Sequence, residues 1–122
     1  MSLEFYKIMH IVGLAAIIAA LGGAAVHAIN GGTRDTNKAR GLVAATHGIG
    51  LVLMLVGGFG MLAKLGIMAA MPGWVYAKLA LWLVVGALIV IPLRKPELAK
   101  PLWLLVPVVA GLGAWMGLLK PF

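Results

Sequence analysis

The stretch IMHIVGLAAIIAALGGAAVHAI, residues 8–29, decides the fold. It runs for 22 residues and sets only His10 and His27 among its aliphatic and small side chains. A helix needs about 20 apolar residues to cross ~30 Å of hydrocarbon. Period-2 alternation is missing, so no half-buried strand fits, and a membrane sheet would have to close into a barrel. The run is too long for the apolar part of a cleavable signal peptide and is followed by others. It therefore reads as a signal anchor.

Three more runs follow. Residues 42–63 hold Thr46 and His47, residues 74–93 hold Lys78, and residues 102–119 hold Pro107. They are 22, 20 and 18 residues long, so each is long enough to span a bilayer. Composition agrees. The chain has 122 residues, 63% hydrophobic and 11% charged, and its mean hydropathy is +1.09. Soluble domains are about 45–50% apolar and about 25% charged. A disordered tail and a nucleic-acid module are excluded by this apolarity, and a disulfide scaffold by the absence of cysteine. The expected fold is all-α: one integral membrane domain, an up-down four-helix bundle with short loops.

The breaks between runs carry the turn chemistry. Asn30-Gly31-Gly32-Thr33 stops the first helix. Asn30 or Gly31 is expected to take the left-handed cap, and Thr33 or Asp35 to start the next segment. Met71-Pro72-Gly73 is a turn before the third helix, which closes at Pro92 and ends in Arg94-Lys95-Pro96-Glu97. Pro107 is expected to kink the fourth helix.

Net charge is +7. The positive side chains sit mainly in loops, where they set orientation and meet anionic lipid rather than nucleic acid. Residues 30–41 and 94–101 hold Arg34, Lys38, Arg40, Arg94, Lys95 and Lys100, six in all, against Lys7, Lys64 and Lys120 on the other side. The positive-inside rule then places both termini outside and the two basic loops in the cytoplasm. Small residues run along the helices: Ala16, Ala20, Ala24 and Ala28 in one row, Ala15, Ala19, Gly23 and His27 in the next, and Gly113 with Gly117 later. Such rows let helices approach closely in lipid, within one chain or between copies.

The functional reading turns on what the runs exclude. Glu4, Asp35 and Glu97 all lie outside them, so no carboxylate stands at mid-membrane for a proton relay or a paired-acid mechanism. The polar groups inside are His10, His27, His47 and Lys78. At ~1.5 Å per residue, His27 lies roughly 13 Å and His47 roughly 8 Å from the centre of its run, toward the basic loops. His10, at roughly 13 Å, and Lys78, at roughly 8 Å, lie on the other side, with Met61 at a similar level. Two polar layers result, and because His10 stands apart from the other two imidazoles, a three-histidine zinc or copper site is disfavoured. Haem b between helices needs axial His, or His with Met, and small residues beside it. His27 with His47, or His10 with Met61, are the pairs that the spacing allows, with Lys78 facing an anionic group. The plainer reading is of histidines that hydrogen-bond to carbonyls or water, methionines that fill gaps, and a snorkelling lysine.

His10 followed by Gly13 and Gly22-Gly23, together with Gly73-Trp74-Val75-Tyr76-Ala77-Lys78-Leu79, resembles small bacterial membrane proteins of the copper-resistance D type. It also resembles the four-helix membrane protoporphyrinogen oxidase. The chain is similar too to uncharacterised bacterial membrane proteins with Ala-Thr-His-Gly and Gly-Trp-Val-Tyr-Ala-Lys segments. The resemblance implies a bacterial inner-membrane protein that binds haem b, with His10 and Lys78 as the positions carried over. Two function classes therefore stand: a haem-b-binding, redox-linked protein, and a non-catalytic bundle that forms a homo-oligomer or serves as an accessory subunit of a larger complex.

Overall fold

The computed structural model describes all 122 residues, and every element is helical. α1 spans Leu3–Ile29, α2 Arg40–Leu65, α3 Gly73–Ala87, α4 Val90–Arg94 and α5 Ala99–Leu119, with a 3-10 turn at Pro96–Leu98. α3 and α4 form one rod, Gly73–Arg94, so four rods are long and apolar enough to cross a membrane.

The rods outrun the apolar runs because a helix ends where its backbone is capped, not where its apolar side chains stop. At the start of α1, the Ser2 hydroxyl accepts from Phe5 N–H at 3.1 Å, and Glu4 occupies the positive first turn. The helix thus begins a full turn before residue 8. At its far end Gly31 takes φ +82°, Gly32 N–H donates to His27 O and Gly31 N–H to Ala28 O. This is a Schellman cap, and it selects Gly31 over Asn30. α2 ends the same way, with Gly66 at φ +73° and Ile67 N–H on Leu62 O. Neither Thr33 nor Asp35 starts α2. Thr33 and Thr36 instead bond reciprocally, each backbone N–H to the other's hydroxyl, and close a turn before the helix begins at Arg40.

α5 continues unbroken through Pro107. The interrupted rod is the third, and the cause is Pro92. A proline cannot donate to the carbonyl four residues back, and its ring crowds that carbonyl. Here the carbonyl belongs to Leu88, and the helix breaks at Leu88–Ile89. Leu88 O accepts from Ile91 N–H instead, and Ile89 N–H finds no backbone acceptor.

Neighbouring rods run antiparallel. α1 and α2 touch backbone to backbone through three glycines. A Cβ on Gly13 would lie 2.7 Å from Gly50 O, and one on Gly57 would lie 2.7 Å from His10 N. The core has two parts. Ile17, Leu21 and Ala25 of α1 meet Val85 of α3, Leu88 and α5's Leu102, Val106 and Val109. Near the chain termini, Leu62, Trp74, Val75 and Met116 form a smaller cluster. Only 21 of 122 residues are buried, while Leu83, Leu104, Val108 and Leu118 are 64–81% exposed. The outer surface is therefore a continuous apolar belt, of the kind that soluble monomers avoid.

Candidate functional site

Each of the three imidazoles meets a different backbone carbonyl. On α1, His10 Nδ1 lies 2.8 Å from Met54 O of α2. A carbonyl only accepts, so Nδ1 carries a proton and donates it. His27 ends the same helix and turns into the following loop. Its Nε2 donates to Thr33 O at 2.8 Å and lies 3.2 Å from the Thr36 hydroxyl. The ring covers Gly32 so closely that no side chain fits there.

His47 reaches the opposite way. It is buried, and its Nε2 donates to Val85 O of α3 at 3.0 Å. Val85 O is the carbonyl that Ile89 N–H would have taken in an unbroken helix. The Pro92 break releases it, and His47 from α2 satisfies it. In hydrocarbon, backbone groups freed by proline need such a partner. One turn along, Trp82 Nε1 of α3 donates to Leu51 O of α2 at 2.9 Å. The two rods are thus laced by side-chain donors running in both directions.

His27 and His47 share a depth but are not brought together, since one faces the loop and the other α3. His10 on α1 and Lys78 on α3 are each half-buried. The lysine extends toward the end of the molecule that carries the termini, where its Nζ would lie 2.8 Å from a Cβ on Gly117. Side chains point toward the N-terminus of their own helix, so this is the direction expected of α3. It places the ammonium by the last turn of α5, at the negative end of that helix. Met61 is half-buried on α2, beside Leu62 of the smaller cluster.

A haem between α1 and α2 requires the two backbones to stand apart. Both candidate pairs, His27 with His47 and His10 with Met61, bridge these helices, which are in contact at Gly13, Gly50 and Gly57. At those three glycines the packing leaves no gap between the two backbones. No three His, Asp or Glu side chains gather as a metal-binding group.

Two of the cavities that border the bundle bear on function. An apolar groove of about 620 Å³ lies between α1 and α5, lined by Ala19, Gly22, Gly23, Trp103 and Pro107 among others. A cleft of about 250 Å³ opens at the basic end, beside His27, Arg34, Asn37 and Arg40. Sequence reasoning missed this cleft, since its polar residues are ordinary loop residues until the chain folds around them. It also missed Trp82, whose donor is invisible without a partner. The pairing of His47 with Val85 had a signal: a proline at 92 always disturbs the carbonyl at 88. The chain matches no protein-family model, no curated protein and no solved structure.

Proposed function

We propose that the chain is a non-catalytic membrane helix bundle that works by assembling, as a homo-oligomer or as an accessory subunit of a larger membrane complex. In this reading the four rods cross a bacterial inner membrane up and down, with both termini outside and the two basic loops in the cytoplasm. One observation carries it: all three intramembrane imidazoles hold backbone carbonyls, so the polar interior serves the bundle itself. The small-residue rows support assembly. Ala20, Ala24 and Ala28 are buried within the molecule, whereas Ala15, Ala19 and Gly23 face outward, and nothing lies within 4 Å of a Cβ on Gly23. Outward small residues are what transmembrane helices use to pack against others.

A second reading, a haem-b-binding or redox-linked protein, draws on His10. Its Nδ1–H is held by a carbonyl while Nε2 stays free, as in imidazoles that ligate metals. Lys78, half-buried on α3, suits an anionic group.

One preparation separates the two. The full chain, expressed with haem precursor supplied and purified in mild detergent, is expected to be colourless and heavier than one copy by native mass measurement. A lone monomer without co-purifying partner contradicts assembly. A Soret band that disappears in His10→Ala establishes the second reading instead.

A further inference from the structure

The cleft at the basic end has two unlike walls. One is polar: Arg34 and Asn37 from the loop and Arg40 from the first turn of α2. The other is apolar: Ile89, Pro92 and Leu93, where the third rod resumes after its break. The Arg34 side chain makes no hydrogen bond or ion pair within the protein. Arg40 meets Asp35 at 3.3 Å, with 54% and 91% of the two side chains exposed. An exposed pair of this kind is weak and yields readily to a better anion.

The backbone adds donors. Ala39 caps α2 without a side-chain acceptor, and the N–H groups of Gly41 and Leu42 have no partner in the protein. Gly41 itself lines the cleft. Two arginines, Gly41 and the start of α2 therefore border one space of about 250 Å³. Guanidinium forks match the oxygens of a phosphate, and helix starts favour the same charge. The volume falls below the ~300–1,000 Å³ of drug-sized ligand sites and suits a headgroup.

We propose that this cleft binds a phosphate group, and that the apolar wall behind it makes the phosphate that of an anionic lipid. The lipid part rests on the membrane reading above; the phosphate part does not. The guanidinium groups and the start of α2 grip the phosphate oxygens. Ile89, Pro92 and Leu93 lie against the glycerol and the first methylenes of the acyl chains.

The test titrates the purified full chain in neutral detergent, by native mass spectrometry, with phosphatidylglycerol, phosphatidylcholine or inorganic phosphate. Phosphatidylglycerol is expected to bind one per chain and more tightly than phosphatidylcholine. The double variant Arg34→Gln, Arg40→Gln should weaken it about tenfold, the loss of at least one charged hydrogen bond. Lys95→Gln with Lys100→Gln, at the same end but outside the cleft, should leave it within about twofold. Unchanged thermal unfolding of both variants shows that they fold. Inorganic phosphate that binds as tightly and displaces phosphatidylglycerol overturns the lipid assignment and keeps the phosphate site. Equal binding by wild type and the arginine variant, or equal loss in the lysine variant, overturns the site itself. The membrane reading fails separately, by the topology of the chain.

Discussion

His47 and Pro92 are 45 positions apart in the chain, and the fold makes them one unit. The proline breaks a helix, the break frees Val85 O, and the histidine takes it. Each residue explains the other, which gives a sharp expectation. His47→Leu leaves a buried carbonyl unpaired and should destabilise by about 1–3 kcal/mol. In a Pro92→Leu background the helix can close through Ile89 N–H, so the same substitution should cost distinctly less. Unfolding of the four proteins in mixed detergent gives the coupling directly. A cost of His47→Leu that is the same with and without Pro92 would show that the two residues do not act together. His27 shows why depth alone misleads. Rise per residue places it level with His47, yet direction around the helix depends on neighbours, and those came only with the fold.

Among the elements, α1 and α2 make the closest contact, and they make it with glycine. Gly57→Ala would set a methyl 2.7 Å from His10 N, a backbone atom that cannot swing aside. The helices must part, at about 1–3 kcal/mol. Gly48, on the same helix, has nothing within 4 Å of its would-be Cβ. Gly48→Ala should be neutral or stabilise by up to ~1 kcal/mol through helix propensity. Equal unfolding behaviour of the two variants would mean that α1 and α2 do not touch as described. The helices themselves were legible in the sequence, because four long apolar runs leave the backbone no other way to satisfy its hydrogen bonds in lipid. Their ends were less so. Ser2 and Glu4 carry α1 beyond its apolar run, and the Thr33–Thr36 turn delays α2 until Arg40. Pro107 and Pro92 looked alike by type. Only the second interrupts its rod, and only there does a side chain from a neighbouring helix take the carbonyl so released.

The molecule as a whole presents apolar side chains outward and polar donors inward, an inversion that water would not sustain. In the proposed placement, lipid contact accounts for the belt of exposed leucines and valines, and the basic loops mark one end of it. Assembly in the membrane and a lipid in the cleft both presuppose this placement. The chain has no cysteine, so single cysteines report topology without background. Ser2→Cys and Lys120→Cys stand at one end of the bundle, Asn37→Cys and Lys95→Cys at the other. A membrane-impermeant thiol reagent added to intact bacterial cells whose outer barrier has been opened is expected to label the first pair and spare the second until the inner membrane is lysed. Labelling of all four in intact cells, or recovery of the chain in the soluble fraction, would contradict the account.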